Sequence, residues 1–368
     1  MTRIAIIGCG IVGAMIAYEL SQLPEFQIVV IEKNTPASGS TGAALGVLMG
    51  AVSHKKQGRA WRWRDFSLKR YETLIPELEA KTGINIPVNR QGILQLLFEG
   101  DNFDLVKWQK LQELRHSQGW HLEICDRTYL SRHCPHIAHD KIIGAVYSPQ
   151  DRQINPLKLT EALVKAATQN GVEFQFGVGV EDFLIKPERD NELSSCDQLQ
   201  TTKGNIEVDK LIISAGLGST PLTASLQQEI LIRPVLGQAI KLRLADYLGK
   251  KDFQPVITGN DIHIVPLGNK EYWLGATVEF PLDTGESIAD PELLTKVKQD
   301  AIAFCPALKD ATILETWSGK RPRPEGIPAP IIGKLSSYNN VLLATAHYRN
   351  GVLLAPATAW EITQMINS

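Results

Sequence analysis

Apolar and polar positions follow two different patterns near the start of the chain. Residues 3–7 form a short apolar run, which predicts a buried strand. A glycine loop follows at residues 8–13, and residues 14–20 then place their apolar side chains at helical spacing. A second apolar run at residues 27–31 predicts the next strand. This order of strand, glycine loop, helix and strand is typical of a parallel α/β unit.

Helix caps and strand patterns predict the elements of the remaining chain. Asn155-Pro156 and Asp290-Pro291 each precede a stretch with apolar residues at helical spacing, so each predicts a helix start. Strands are predicted at residues 172–176, 210–216 and 340–346, and the second is apolar almost throughout, as in a buried parallel sheet. Alternating segments at residues 262–265 and 272–274 instead predict antiparallel strands. The chain is therefore predicted to combine a discontinuous nucleotide-binding domain with an interleaved antiparallel-sheet domain.

The glycine loop carries the strongest chemical signal in the sequence. Gly8, Gly10 and Gly13 form a GxGxxG motif between a strand and a helix, and Glu32 ends the next strand nineteen residues after Gly13. Glycines let the backbone approach a pyrophosphate at the helix N-terminus, and a carboxylate at that distance can accept ribose hydroxyls. The motif does not separate NAD from FAD. The long run of small residues at 36–48, where a next helix would otherwise begin, favours an extended FAD.

Composition excludes several classes of function. The chain has 368 residues, a formal net charge of −2, 43% hydrophobic residues and no apolar stretch of about 18 residues. A near-zero charge argues against a nucleic-acid-binding surface, and the apolar pattern predicts no membrane span. The five cysteines are scattered without a CxxC pair, which indicates a reducing compartment. No secretory signal precedes the first strand, so we expect a cytoplasmic location.

A second anion site is predicted near the end of the chain. A strand at residues 340–346 leads into the turn His347-Tyr348-Arg349-Asn350-Gly351 and then into a helix at 352–366 that contains Pro356. The turn delivers an arginine to a helix N-terminus, and both favour negative charge. In a dinucleotide oxidoreductase this dipole could stabilise negative charge on a reduced ring.

Six segments resemble the FAD-dependent D-amino-acid oxidase and glycine oxidase family over essentially the whole chain. They are the 8–32 unit, the 37–50 loop, Leu274-Gly275-Ala276-Thr277, Trp317-Ser318-Gly319-Lys320-Arg321-Pro322, Pro330-Ile331-Ile332-Gly333 and the ending from His347 to Pro356. The resemblance implies an α/β fold with a Rossmann-like FAD-binding domain made of residues 1–86, 143–224 and 319–368. An antiparallel-sheet α+β substrate domain would take residues 87–142 and 225–318.

The resemblance also implies which residues bind FAD and substrate. FAD would be bound non-covalently, with contacts from Gly8, Gly10, Ile11, Val12, Gly13, Glu32, Lys33, Ser40, Thr41, Leu45, Gly46, Val47, Val180, His347, Tyr348, Arg349, Asn350, Gly351, Val352 and Leu353. Arg321 lies where the family binds the substrate carboxylate, and Arg349 where glycine-oxidase-like members carry a second arginine. His263 departs from the family, because a tyrosine usually lines the pocket at that position. These three residues are the predicted catalytic set.

The implied activity is oxidation of glycine, a D-amino acid or an N-substituted amino acid by hydride transfer to flavin. The imine product would hydrolyse, and molecular oxygen or another acceptor would take the electrons, with hydrogen peroxide formed from oxygen. Three alternatives stay open: an amino-acid dehydrogenase, a 2-hydroxy-acid oxidase of the same fold, and a flavin-binding module without amine turnover. The sequence also leaves the oligomeric state open, with a homo-oligomer among the options.

Three further patterns have simpler explanations. The cluster from His133 to His139 lacks the spacing of a metal site, so no metal is predicted. The basic and aromatic run at residues 55–64 leads into apolar residues at helical spacing, which favours a solvated helix face over a nucleic-acid site. Cys9 in the glycine loop is expected to serve as a small side chain, although a reactive thiol at a helix N-terminus is conceivable.

Overall fold

The computed structural model describes residues 1–100, 105–187, 193–282 and 286–367. Its helices are α1 (Ile11–Leu20), α2 (Gly58–Thr82), α3 (Leu105–Ser117), α4 (Arg127–His133), α5 (Pro156–Gln169), α6 (Ser219–Ser225), α7 (Pro291–Phe304) and α8 (Gly351–Ile366). Its strands are β1 (Thr2–Ile7), β2 (Phe26–Glu32), β3 (Val47–Leu48), β4 (Val88–Asn89), β5 (Ile93–Phe98), β6 (Glu123–Asp126), β7 (Ile142–Ser148), β8 (Arg152–Ile154), β9 (Glu173–Phe176), β10 (Val180–Lys186), β11 (Ser195–Thr201), β12 (Gly204–Glu207), β13 (Lys210–Ile213), β14 (Ile232–Arg243), β15 (Val256–Gly259), β16 (Ile262–Gly268), β17 (Glu271–Gly275), β18 (Thr312–Pro324), β19 (Ile331–Lys334) and β20 (Val341–Thr345).

A six-stranded sheet in the order β19-β20-β13-β1-β2-β9 forms the nucleotide-binding half of the fold. All its pairs are parallel except β19 with β20. β1 lies inside the sheet, and its residues Ile4 and Ile6 are fully buried, because layers of structure cover both faces. The expected parallel α/β unit is confirmed.

Different layers cover the two faces of this sheet. On one face, α1, α2, α5 and α8 pack together around a core that includes Met15, Tyr71, Leu163 and Leu354. On the other face, the small antiparallel sheet β10-β11-β12 packs through Phe183 and Leu199. The sheet is thus the middle of three layers, which leaves the carboxyl ends of its strands free for a site.

An eight-stranded sheet in the order β18-β14-β17-β16-β15-β5-β7-β6 forms the second half. Its pairs are antiparallel except β15 with β5, so the predicted antiparallel sheet is present with one parallel exception. A separate core lies on the face of this sheet that carries Ile240 and Ile264, where Phe304 of α7 and Leu130 of α4 pack against strand residues.

Two strands extend across the domain limits that the sequence suggests. β7 pairs with β5 and β6 in the eight-stranded sheet, although residues from 143 onward were assigned to the FAD-binding part. β18 likewise continues past residue 318 as one strand paired with β14. The domain to which each strand belongs depends on the strand with which it pairs. The apolar pattern of a single segment does not indicate that partner. The division into two domains therefore remains a proposal.

The predicted helix starts have the caps that their sequences indicate. The Asn155 side chain accepts a hydrogen bond from the Lys158 N–H at 3.0 Å, and the Asp290 side chain accepts one from the Glu292 N–H at 2.8 Å. Each cap is followed by a proline at the first helical position. These local signals position α5 behind the six-stranded sheet and α7 on the eight-stranded one.

Helix α8 contains a proline, and α2 compensates for it. Pro356 has no N–H to donate to the carbonyl of Val352, one turn earlier. The buried Tyr71 hydroxyl of α2 donates to that carbonyl instead, at 2.5 Å. Ser67 of α2 accepts from the next N–H, that of Ala357, at 3.2 Å. The two helices are therefore joined at the end of α8 that faces the site described below.

No helix in the described ranges is both long and apolar enough to cross a membrane.

Candidate active site

A cavity of about 640 Å³ lies between the two large sheets. On one side it is bounded by the segments that follow β1, β2, β13 and β20, and on the other by β14, β16 and β18. This is the edge where ligands bind in open parallel α/β sheets. The size is within the range of ligand pockets in proteins.

Most of the predicted site residues line this cavity. They are Gly8, Gly10, Ile11, Val12, Glu32, Lys33, Ser40, Thr41, Leu45, Gly46, Val47, His263, Arg321, His347, Tyr348, Arg349, Gly351, Val352 and Leu353. Three predicted residues do not line it. Gly13 lies behind the loop inside α1, Val180 begins β10 and pairs with Thr201, and Asn350 is the N-cap of α8.

The sequence-based set missed a number of lining residues, three groups of which lie on or directly after strands of the two large sheets. They are Ser214 to Gly218 after β13, Gly237 and Ala239 of β14, and Ser318 to Lys320 of β18. A glycine at the carboxyl end of a predicted parallel strand is a signal that could have indicated the first group. The other two depend on how β14 and β18 pair, which their sequences do not reveal.

The glycine loop is shaped by two close approaches of backbone to backbone. Gly8 has a φ of +102°, and a Cβ there would lie 2.8 Å from the Ser214 carbonyl oxygen. A Cβ on Gly13 would lie 2.0 Å from the Gly8 carbonyl oxygen. Larger residues would therefore separate α1 from the turn, and the loop would lose its shape. Gly13 therefore helps to shape the glycine loop although it does not itself line the cavity.

Two helices direct their N-termini at the cavity. α1 begins at Ile11 and α8 at Gly351, and neither has a side-chain cap from its N-cap residue or an acidic residue in its first turn. The Ile11 N–H donates to the Thr41 hydroxyl at 3.0 Å, which ties α1 to the small-residue loop. Uncapped N-termini carry partial positive charge and favour anions. The pair therefore suits a ligand with phosphate or other negative groups.

Glu32 ends β2 at the same edge. Its carboxylate accepts the Cys9 N–H at 2.9 Å and the Asn34 N–H at 2.9 Å, so two backbone groups orient it. The remaining acceptor positions of the carboxylate are free for hydroxyl groups such as those of a ribose. The glycine cradle, the two helix ends and this carboxylate together fit a dinucleotide.

Two buried charges hold the loop that follows Val47. The Asp151 carboxylate is fully buried and accepts the N–H groups of Gly50, Ala51 and Val52 at 2.8 to 2.9 Å. The buried Arg115 guanidinium donates to the carbonyls of the same loop, among them Ala51 at 2.8 Å. The sequence predicted neither residue. Asp151 is about a hundred residues away from its backbone partners, and Arg115 belongs to no local motif.

Arg321 occupies the opposite end of the cavity from the glycine loop. It lies on β18, is partly buried, and donates from Nη1 to the Leu236 carbonyl at 3.0 Å. Burial and, after it, the positive charge of Arg349 lower its pKa below the ordinary value. Within the described part of the chain, no carboxylate lies within 4.0 Å of its guanidinium. Its charge is available to a bound anion.

Arg349 is less buried and already has a partner. Its Nη2 lies 3.6 Å from Oδ1 of Asp261, an exposed residue in the turn between β15 and β16. The two predicted arginines therefore differ, since only Arg321 combines burial with an unpaired charge.

His263 adds a neutral polar group to this end. Its Nδ1 and the Thr258 hydroxyl are 2.9 Å apart and share a hydrogen bond. Burial, followed by the positive charge of Arg349, lowers the pKa of His263 to about 4. The ring is consequently uncharged near neutral pH.

His347 and Tyr348 connect the last turn to its surroundings. His347 Nε2 and the Thr358 hydroxyl are 2.8 Å apart, and burial lowers the pKa of His347 to about 3, so this ring is also neutral. The Tyr348 N–H donates to the Pro322 carbonyl at 3.0 Å, beside Arg321. The turn thus joins α8 to β18.

Neither Cys9 nor the histidine-rich segment forms a reactive centre. The Cys9 side chain is fully buried, and burial raises the pKa of its thiol to about 12, so the thiolate is not formed at neutral pH. All five cysteines are buried and free of disulfides. Among the described residues, no group of three or more His, Cys, Asp or Glu side chains could hold a metal ion.

Comparison with known proteins agrees with this geometry. The family model described as "DAO: FAD dependent oxidoreductase" matches residues 3–365. A "Bifunctional protein ThiO/ThiG" from Nostoc sp. (strain PCC 7120) is 32% identical over 371 residues, which cover 100% of this chain and 53% of the relative. The chain therefore spans about half the length of these bifunctional relatives.

Single-function relatives match over nearly their whole length. "Glycine oxidase" from Geobacillus kaustophilus is 26% identical over 373 residues, covering 99% of this chain and 92% of the relative. The crystal structure of glycine oxidase from Bacillus cereus ATCC 14579 is 25% identical with a TM-score of 0.85, and it covers 100% of this chain and 95% of that one.

Proposed function

The chain belongs to the family of FAD-dependent oxidoreductases, and on that premise we propose that it oxidises a small amino acid. The proposed substrates are glycine, a D-amino acid or an N-substituted amino acid. One observation carries the proposal: a single cavity joins two helix N-termini that lack a capping N-cap side chain to a partly buried arginine with no carboxylate partner among the described residues. The glycine oxidases among its relatives support this class of substrate.

The cofactor end would hold FAD without a covalent bond. The N–H groups at the start of α1 would face the pyrophosphate, Glu32 the ribose, and the turn from His347 to Gly351 the flavin ring. FAD, when bound, would supply the hydride-accepting redox chemistry. The chain's own contribution is binding, orientation and charge.

Arg321 would bind the substrate carboxylate. Guanidinium presents two parallel N–H groups that match a planar carboxylate, and the match is stronger away from water. The Nη1 group of Arg321 donates to the Leu236 carbonyl. The other N–H donors of its guanidinium have no protein acceptor among the described residues. A substrate held there by its carboxylate would present its α-carbon towards the middle of the cavity.

No strong base is needed in this proposal. Among the described lining residues, Glu32 is the only carboxylate, and it lies at the cofactor end. His263 is neutral and weakly basic, so it can orient an uncharged amine through a hydrogen bond but cannot deprotonate an ammonium group efficiently. The amine would therefore react in its uncharged form, with positioning and charge stabilisation providing the rate.

The product of the proposed reaction is an imine, which water hydrolyses to the keto or aldehyde acid with release of ammonia, or of an amine where the nitrogen is substituted. We propose molecular oxygen as the electron acceptor, with hydrogen peroxide as the second product, and another acceptor as the alternative. The five free cysteines fit the proposed cytoplasmic location.

Anaerobic reduction of the purified holoprotein tests the proposal. A panel of glycine, sarcosine, D-alanine, D-proline and glycolate is mixed with the yellow protein without oxygen. We expect at least one amino acid to bleach the flavin absorbance and glycolate not to. Peroxide yield under air then separates an oxidase from a dehydrogenase. Bleaching by glycolate alone, or by none of the panel, would refute amino-acid oxidation.

A further inference from the structure

A buried carboxylate lies behind Arg321. Glu279 follows β17, and only 7% of its surface is exposed. Its Oε1 accepts from the Gln238 side-chain amide at 2.9 Å and from the Thr277 hydroxyl, and its Oε2 accepts from the Asp290 N–H at 2.9 Å. Three donors on two oxygens are the arrangement of an ionised carboxylate. Glu279 does not line the cavity and has no part in the chemistry described so far.

Glu279 is tied to the strand segment on which Arg321 rests. The backbones of Glu279 and Leu236 exchange both hydrogen bonds, at 2.8 and 2.9 Å. The Leu236 carbonyl that accepts from Glu279 also accepts from Arg321 Nη1. On the other side of the segment, the Gln238 N–H donates to the Thr277 hydroxyl, which donates to Glu279. The Glu279 backbone thus holds Leu236 before Gly237, and its carboxylate holds Gln238 after it, directly through the side-chain amide and indirectly through Thr277.

Gly237 is the surface against which the guanidinium packs. A Cβ on Gly237 would lie 2.2 Å from Arg321 Nη2 and 2.5 Å from its Cζ. No ordinary side chain fits there without displacing the arginine. A small shift of the Leu236–Gln238 backbone would therefore move both the hydrogen-bond acceptor and the packing surface of Arg321.

We propose that Glu279 is a positioning residue that fixes the Leu236–Gln238 backbone and thereby orients the Arg321 guanidinium towards the substrate carboxylate. The proposal rests on the proposed function, in which Arg321 binds that carboxylate. The positioning role and a purely electrostatic role of Glu279 predict opposite changes in the affinity for an anionic ligand. A negative charge near the site repels an anionic ligand, so neutralising Glu279 without loss of positioning would tighten anion binding.

The test measures binding of acetate, a carboxylate that cannot be oxidised, to the FAD-loaded protein through the change in flavin absorbance. In Glu279→Gln, the amide nitrogen faces one of the three N–H or O–H donors, so the network cannot be satisfied. We expect the Kd for acetate to rise about tenfold, while the FAD content of the folded protein stays close to that of a control. The control is Glu271→Gln, which removes a carboxylate of β17 that pairs with Lys241 and Arg243 on the same sheet.

A double-mutant cycle with Arg321→Lys separates positioning from general damage. Lysine keeps the charge but lacks the planar fork, so it depends less on orientation. If Glu279 acts through Arg321, Glu279→Gln should change the Kd less than about threefold in the Arg321→Lys background. Equal effects in both backgrounds, or tighter acetate binding in Glu279→Gln, would overturn the positioning role.

A milder variant covers the case in which Glu279→Gln does not fold. Thr277→Val removes one donor to Glu279 and keeps the carboxylate. It should weaken acetate binding in the same direction by a smaller factor, and unchanged binding would count against the proposal. The proposed function has a separate outcome, because wild-type acetate affinity in Arg321→Ala would refute carboxylate binding by Arg321 whatever Glu279 does.

Discussion

The two ends of the cavity are built in different ways. The cofactor end consists largely of backbone from residues 8–12 and 32–47, with Gly8 and Gly13 providing the close approaches. The substrate end consists of side chains from β16, β18 and the last turn, namely His263, Arg321 and Arg349. Backbone presents the same groups whatever the side chains are, whereas a charged side chain acts only where its neighbours place it. One end therefore depends mainly on its glycines and its backbone shape, and the other depends on individual side chains.

The largest expected effect breaks the cofactor end alone. Gly13→Val should yield a colourless protein, because its branched side chain would enter the space of the Gly8 carbonyl, 2.0 Å from the Cβ position. The measurement is FAD released on denaturation per mole of protein.

The matched control for this variant is Gly333→Ala. Gly333 lies on β19 of the same sheet, and among the described residues no heavy atom other than those of its chain neighbours lies within 4 Å of its Cβ position. It should retain FAD in the wild-type amount. Full FAD content in Gly13→Val would show that FAD binding does not require the close approach of Gly13 to the Gly8 carbonyl. NAD bound in place of FAD in the wild type would contradict the cofactor assignment itself.

The next effect breaks the substrate end and leaves the cofactor end intact. Arg321→Ala removes the proposed partner of the substrate carboxylate, and the loss of such a partner in a partly water-excluded site costs roughly 2–5 kcal/mol. At about 1.4 kcal/mol per factor of ten, kcat/KM should fall roughly thirty- to several-thousand-fold. Arg321→Lys should recover part of the loss. Steady-state kinetics on the best substrate, with FAD content as the control, check this. A fully active, yellow Arg321→Ala protein would make the arginine a structural surface residue.

A smaller effect tests how the helix α8 supports the cofactor end. Tyr71→Phe removes the hydroxyl that donates to the Val352 carbonyl, leaving a buried acceptor unpaired next to Pro356. Such a loss costs roughly 1–3 kcal/mol of unfolding free energy. Chemical denaturation of the holoprotein should show this decrease, and the Kd for FAD should rise. Tyr18→Phe, which loses a bond to the partly exposed Glu77 side chain, is the comparison and should cost less. Equal losses of unfolding free energy in the two variants would show that the hydrogen bond from Tyr71 to the Val352 carbonyl does not contribute more than the bond to Glu77.

The smallest expected effect concerns His263. Its pKa of about 4 in the folded protein is below the ordinary value of 6.5, so the folded state binds fewer protons than the unfolded state between these values. Stability should therefore fall as pH decreases from 6.5 to 4, and His263→Phe should reduce that fall. Between pH 6 and 8 the ring stays neutral, so the kcat/KM profile should be the same in wild type and His263→Phe. A step in this range that disappears in the variant would show that His263 titrates during turnover.

The sequence revealed the cofactor end more completely than the substrate end. Gly8 to Glu32 form one continuous unit of the chain, and the spacing of its glycines and its carboxylate alone indicates the chemistry, although the loop also contacts the distant Ser214. Arg321 gives no such local signal, and only its resemblance to a family singled it out. Gly237 and Glu279 were missed because their roles depend on β14 pairing with β18 and on the bridge from Leu236 to Glu279, which are contacts across many residues. His263 was identified, but its neutrality follows from burial and from Arg349, which the sequence does not place beside it.

The most direct test of the central claim compares two substrates in two proteins. The claim is that the substrate end selects amino acids because Arg321 binds their carboxylate, while the other end binds FAD independently. The measurement is the rate of anaerobic flavin reduction by the best amino acid and by its carboxamide, in wild type and in Arg321→Ala with equal FAD content. We expect wild type to prefer the amino acid by at least tenfold and Arg321→Ala to lose most of that preference. An unchanged preference in Arg321→Ala would contradict the account.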